Sequence, residues 1–219
     1  MLPSGSRSAS AAARPLTRRF YARPPDVVAR ALLGRLIVRD LRGTRLIGRI
    51  VEVEAYGGAT DPASHAWRGE TRRNRTMFGP PGHAYIYFTY GMHHCLNVVT
   101  GAGGVASAVL IRALEPVSGL AAMVRRRGAM APERLARGPG CVTRALGLTG
   151  ADDGADLTRG PVWIPASPPR CGRWRIARGP RIGISRAVGR RWRFFLSGHP
   201  CVSGRAAPGR VAARTGPGR

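Results

Sequence analysis

The run RLIGRIVEVEAY, residues 45–56, constrains the fold more than any other part of the chain. It is rich in β-branched residues and alternates through VEVEAY, the period-two pattern of a strand with two different faces. The preceding RLIVRD, residues 35–40, joins it across Arg42-Gly43, so the two read as a hairpin. HAYIYFTY (83–90) and HCLNVVT (94–100) read as a second pair that turns at Tyr90-Gly91-Met92. VASAVLIRAL (105–114) reads as a buried strand ending at Pro116, and PVWI, PRIGIS and WRFFL as short late strands. Helical patterns are few and short. Asp26 is expected to cap a helix over 27–33 that Gly34 stops, Ser118 another through about Arg127, and RGPGCVTRALGL holds a third. Residues 57–82 and 166–180 read as loops. The expectation is an α+β fold, a single mixed domain built around antiparallel strands with a protruding β-hairpin.

At 219 residues the chain suits one domain with a sizeable core. That domain is expected over 25–203, between basic, acid-free ends at 1–24 and 204–219 that read as disordered tails. Formal net charge is +25, and all 36 positions counted as lysine or arginine hold arginine. Nine of them lie in the two ends, leaving 27 in the body against all 11 acidic residues, so the folded part is itself strongly positive. Such a surface attracts polyanions, and the arginine fork fits phosphate oxygens. Cys95, Cys141, Cys171 and Cys201 are widely spaced and form no C-x-x-C; they are expected as reduced, small core residues of a cytoplasmic protein. The opening segment lacks the apolar centre of a secretory leader, and no run reaches the ~18 apolar residues of a membrane span. No membrane partner is expected.

VEVEAYGGATDPASH carries the first candidate chemistry. As a strand it puts Glu52, Glu54 and Tyr56 on one face, and Val51, Val53 and Ala55 on the other. A solvated strand face is the plain alternative. Against it, the face carries an aromatic, and His65 follows after a Gly-Gly and Asp-Pro loop that can fold back. Two of the 11 acids also stand together in a very basic chain. A carboxylate facing a nucleic acid is repelled by phosphate, and is tolerated where it performs chemistry.

AYIYFTYGMHHCLNV, residues 84–98, carries the second, with three of the five tyrosines. In a strand Tyr85, Tyr87 and Thr89 point one way, and Ile86, Phe88 and Tyr90 the other. Tyr87 faces inward, where its ring can stack on a planar ligand. Tyr90 at a hairpin tip suits wedging between bases. Core packing of ordinary β-forming tyrosines is the alternative. His93 and His94 point to opposite faces and make poor joint metal ligands. Neither H-E-x-x-H nor the H-x-E with P-C-x-x-C of zinc deaminases occurs. No metal and no other cofactor is expected.

Over roughly residues 25–203 the sequence resembles the alkyladenine (3-methyladenine) DNA glycosylases, monofunctional purine-excising enzymes with a mixed α+β fold. It does not resemble the helix-hairpin-helix glycosylases. The resemblance rests on one long gapless run, VEVEAYGGATDPASHAWRGETRRNRTMFGPPGHAYIYFTYGMHHCLNV, and on AVLIRALEP, LARGPGCVTRALGL and the late PRIGIS and RFFLSGHPCVS. It implies Glu54 as general base, with Arg112 helping to hold it and its water. It implies Tyr56, His65 and Tyr87 around a flipped base, and Asn97 as the pocket asparagine that crowds the 2-amino group of guanine. Tyr90 matches the residue that enters the minor groove and fills the vacated stack, and Met92 and His93 are expected against DNA. The family often has an aromatic where this chain has His93.

The activity so implied is release of 3-methyladenine, 7-methylguanine, hypoxanthine or ethenoadenine from double-stranded DNA, leaving an abasic site, by a monomer. Arg112 is expected to keep Glu54 ionised. With no lysine in the chain to form a Schiff base, water is the expected nucleophile and strand nicking is not expected. The workplace would be the cytoplasm, at the nucleoid, of a bacterium, or the nucleus or an organelle of a eukaryote. A non-catalytic basic nucleic-acid binder would explain the charge and the tyrosines but leave Glu52 and Glu54 idle. A metal-dependent nuclease or deaminase would use the histidines.

Overall fold

A computed structural model describes residues 14–89 and 91–204 of the chain. Two long hairpins begin the sheet. β1 (Leu36–Leu41) pairs with β2 (Thr44–Tyr56), and β3 (Ala84–Thr89) with β4 (His93–Thr100). β5 (Ser107–Ser118) lies between them, antiparallel to both β4 and β2. With β6 (Val162–Trp163) on the far edge, the order is β3-β4-β5-β2-β1-β6. β7 (Ile176–Gly179) pairs with β8 (Arg193–Leu196), and β8 in turn pairs with β2 at Glu52, Val53 and Glu54.

β2 is long enough to serve two neighbours on one side. Its ladder with β1 reaches Arg49 and its ladder with β8 begins at Glu52. On the other side, the register against β5 slips between Ile50 and Glu52 and again between Glu52 and Val53. Such a bulge bends a strand and re-aims its side chains. The two carboxylates therefore lie in a three-strand section, β5-β2-β8, and both are fully buried. The solvated strand face is ruled out, because Arg112, Ile182, Arg193 and Ser203 close over the two carboxylates.

One sheet face packs on α2 (Pro25–Leu32), α4 (Leu120–Arg127) and α5 (Pro139–Leu146); α1 (Arg18–Tyr21) and α3 (Arg75–Phe78) are single turns before α2 and before β3. Val28 and Leu32, with Met123, Val142 and Leu146, join Ile50, Ile86 and Ile111 in the main core. By the period of two, the alternate residues of β3, β4 and β5 face the other way. There Tyr85, Val99 and Ala108 build a smaller cluster with Ala66 and Met77. The candidate site sits on this second cluster.

Several local expectations are corrected. α2 starts at Pro25, with Asp26 in its first turn rather than capping it; proline at a first helical position has its φ preset and needs no N–H partner. β5 passes through Pro116 to Ser118. Pro116 stands opposite Gly48, beside a register slip, where the missing N–H is tolerated. Gly119, with φ +78°, precedes α4 in place of Ser118. PRIGIS is loop, and the strand lies just before it, at Ile176–Gly179, inside the expected loop. Residues 14–24 belong to the body: Leu16 N–H donates to Ile164 O at 2.8 Å, and Tyr21 is fully buried. No helix among the described residues is long and apolar enough to cross a membrane.

Candidate active site

The smaller cluster leaves one side of Tyr85 and Tyr87 facing a cavity of about 540 Å³. β3 supplies Tyr85, Tyr87 and Thr89, β4 supplies Cys95 and Asn97, β5 supplies Arg112, and Tyr56 ends β2. Two loops close it, one carrying His65 and Trp67, the other running from Ile182 to Arg186. The structure thus brings together Tyr56, His65, Tyr87, Asn97 and Arg112, which the sequence spreads over 57 positions, above Glu54.

Glu54 lies beneath the cavity floor. Three donors meet its carboxylate: Ile182 N–H at 2.7 Å on Oε1, and the Tyr56 hydroxyl at 2.9 Å and Arg112 Nη1 at 3.2 Å on Oε2. All three donor residues line the cavity. Burial pushes the Glu54 carboxyl above the ordinary glutamate value, and Arg112, the Ile182 N–H and the Tyr56 hydroxyl pull it back without cancelling the shift. Arg112 is the largest of the influences that favour the charged form. Burial also opposes the charge on Arg112, but Glu54 and Glu52 more than offset it.

Glu52 has a different task. Its Oε1 accepts from Arg193 Nε at 2.6 Å and Arg112 Nε at 3.2 Å, and its Oε2 from Ser203 N–H at 2.6 Å. Two carboxylates and two guanidiniums balance in charge. Arg112 is gripped through Nε while Nη1 reaches Glu54. Glu52 therefore orients the arginine rather than facing the cavity.

The wall is aromatic. His65 meets Tyr87 edge to face, centroids 4.5 Å apart, and its Nδ1 is 3.0 Å from the Tyr85 hydroxyl. Burial, with Arg73 adding to it, holds the His65 ring below the ordinary histidine value, so it is neutral at pH 7. Where the Tyr85 hydroxyl donates to Nδ1, the neutral ring carries its proton on Nε2; where Nδ1 is protonated, it donates to that hydroxyl and Nε2 accepts. Asn97 is pinned, its Nδ2 donating to Tyr85 O at 3.1 Å.

The 57–65 loop is folded by constraints that its sequence only hints at. Gly58 has φ +63°, and a Cβ there would stand 2.3 Å from Val105 O, so only glycine fits. Asp61 accepts from Gly57 N–H at 3.1 Å and Ala63 N–H at 3.3 Å, and pairs with Arg181, both side chains wholly buried. The Arg181 guanidinium lies 4.7 Å from the Tyr56 ring centroid and donates to Ala55 O at 3.0 Å. One ion pair thus ties the His65 loop to the loop whose next residue, Ile182, donates to Glu54.

Sequence reasoning missed Asp61, Arg181, Ile182, Arg193 and Ser203. Ile182 and Ser203 act on the carboxylates through their backbone N–H groups, which leave no side-chain signal. The other three are recognisable only by partners far along the chain. Met92 and His93 stand outside this cavity. Met92 is 71% exposed at the β3–β4 turn, and half-buried His93 packs against Gly140. Tyr90 lies outside the described residues. Among the described residues no three of His, Cys, Asp and Glu converge as a metal-ligand set.

The class so defined is an antiparallel α+β domain with an aromatic pocket over a buried, arginine-held carboxylate pair. Residues 19–200 match the family described as methylpurine-DNA glycosylase, and the chain belongs to it. Three relatives carry the name "Putative 3-methyladenine DNA glycosylase". The protein of Methanoculleus marisnigri is 50% identical over 85% of this chain and 97% of its own length. That of Rhodopseudomonas palustris is 51% identical over 83% and 84%, and that of Frankia casuarinae 48% over 87% and 93%.

Proposed function

We propose that this protein is a monofunctional DNA repair glycosylase that flips damaged purines out of duplex DNA and hydrolyses their N-glycosidic bond with water. The observation that carries the reading is the aromatic cavity seated on Glu54 through Tyr56, Arg112 and the Ile182 N–H. Family membership supports methylated purines as the substrate class, and the reading takes 3-methyladenine, 7-methylguanine, hypoxanthine and ethenoadenine as the purines released.

A base stacked in a duplex hides its glycosidic bond, and extruding it costs a few kcal/mol, less for damaged or mispaired bases. Tyr90, which follows β3 in the sequence, would fill the gap, while Met92 and His93 would contact the duplex. The flipped purine enters between Tyr56, His65 and Tyr87, with Asn97 against its edge as a screen on the 2-amino group of guanine. Cleavage develops positive charge on the sugar. Ionised Glu54 stabilises that charge and takes a proton from the attacking water. The Tyr56 hydroxyl is the one neutral side-chain donor on Glu54. Its displacement by water would open Oε2 to the cavity with no charge left unpaired. A 3- or 7-alkylated purine leaves as a neutral base without further help. The protein would act as a monomer where duplex DNA is kept, at the bacterial nucleoid or in a eukaryotic nucleus or organelle.

The test is free-base release from duplexes carrying one hypoxanthine or one ethenoadenine, and from methylated DNA, with EDTA present. Release from at least one substrate is expected, leaving an unbroken strand and no covalent adduct after borohydride, since the chain has no lysine. Failure on all three substrates, or activity that EDTA removes, would defeat the reading. A trapped adduct would defeat its monofunctional part.

The rate should also report the Glu54 environment. Glu54 must be ionised to act, and burial raises its value. Excision should therefore fall as pH drops through a limb lying above the ordinary glutamate value of about 4.3. A single-turnover pH profile flat down to that value would remove Glu54 from the role of base.

A further inference from the structure

We propose that a second cavity, beside the β3–β4 turn, is an anion site that takes backbone phosphates of the duplex flanking the nucleotide whose base enters the aromatic pocket. The proposal rests on the glycosylase reading for its orientation on DNA, but not for its chemistry. The cavity, about 360 Å³, is bordered by His93, His94, Arg126 and Arg144, and no acidic residue lines it.

Both arginines are held in place without being neutralised. Arg144 Nε donates to Arg126 O at 2.7 Å, and Arg126 Nη1 to Ala122 O at 3.3 Å. Neither makes an ion pair among the described residues. Behind them, buried Arg39 spends Nη2 on Asp152 at 2.6 Å and leaves Nε and Nη1 with no described partner. Burial and then the charges of Arg125, Arg39 and Arg42 hold Arg126 below the ordinary arginine value. The repulsion among these groups is relieved by an anion. Guanidiniums fixed by carbonyls and free of carboxylates offer their remaining N–H groups to phosphate oxygens.

Two glycines form part of its wall. A Cβ at Gly140 would stand 2.9 Å from the His93 ring, and one at Gly147 would stand 3.0 Å from Arg126 Nε. The location identifies the anion. Pro139 and Thr89 line the aromatic pocket, whereas Gly140, Met92 and His93 line this one. The two cavities are neighbours along the start of α5 and the end of the β3–β4 hairpin. A strand leaving the aromatic pocket over that ridge brings its next phosphates to Arg126 and Arg144.

The experiment compares the double variant Arg126→Ala/Arg144→Ala with wild type in binding an undamaged duplex of about 20 base pairs over a salt series. The charge-matched control is Arg173→Ala/Arg175→Ala, two exposed arginines of the 166–180 segment. Each phosphate contact contributes about 0.9 to the slope of log K against log salt, so the slope should flatten by about 1–2. The control should move it less. Thermal unfolding of each variant checks that the fold survives. An unchanged slope, or an equal change in the control, overturns the proposal. So does a double variant that loses stabilisation by inorganic phosphate yet keeps the wild-type duplex slope, because the site would then take the free ion. Undamaged duplex is used so that failure here is distinct from failure of excision.

Discussion

Glu54→Gln is expected to lower single-turnover base release by roughly 100- to 10,000-fold, the range for loss of a positioned general base. Affinity for duplex DNA should stay the same or rise, because a negative charge leaves a site that receives a polyanion. The variant should still fold. Arg112 loses Glu54 as a partner but keeps its bond to Glu52 through Nε, so no guanidinium is stranded. The amide keeps the shape of the carboxylate and can accept from either Ile182 N–H or the Tyr56 hydroxyl. What it cannot do is accept the proton of the attacking water or balance charge developing on the sugar. Release from a hypoxanthine duplex, with binding followed in parallel, separates these effects. A variant within a few-fold of wild type would show that Glu54 is a structural carboxylate like Glu52. The chemistry would then need another base.

The main lines of the fold and the pocket were legible because period-two alternation encodes faces. Alternation in VEVEAY put Glu52, Glu54 and Tyr56 together, and AYIYFT put Tyr85 and Tyr87 together, and both pairings stand. Alternation does not record which neighbour covers a face. Nothing local to Glu52 says that β8 and Ser203 will bury it, so its role as a grip on Arg112 was invisible. PRIGIS has the composition of a strand, yet Arg181 and Ile182 are drawn to Asp61 and Glu54. The segment stays a loop because those polar contacts replace a ladder. Asp26 has capping chemistry, but Pro25 already presets the helix start. In each case a long-range partner or a preset φ overrode a local preference. Long-range pairing is also what builds the site.

Asp61→Asn should cost stability more than any other single exchange in the pocket walls. It keeps an acceptor for only one of Gly57 N–H and Ala63 N–H, which bond to different carboxylate oxygens, and leaves Arg181 charged, wholly buried and without its counter-ion. Breaking a buried pair from one side typically costs about 3–5 kcal/mol. In a domain of this size that lowers Tm by roughly 6–20 °C. The pH dependence has a definite sign. Burial opposes ionisation of Asp61, but bonds from Arg181 and Gly57 N–H win and hold it below the ordinary carboxylate value. Its contribution is therefore complete above the unfolded value near 3.9 and is lost as pH falls through the lower folded one. The difference between wild type and Asp61→Asn should shrink on acidification over that window. Adding Arg181→Met removes the stranded charge and should restore much of the Tm, because a buried pair can be replaced by apolar groups at little net cost. Excision should not recover with it. In the double variant Tyr56 lacks the guanidinium on its ring, and the Ile182 N–H has lost the anchor that aims it at Glu54. Recovery of stability without recovery of rate identifies the pair as a positioning device. Recovery of both would reduce it to a structural clamp, and a cost below about 1 kcal/mol for Asp61→Asn would mean that water reaches Arg181.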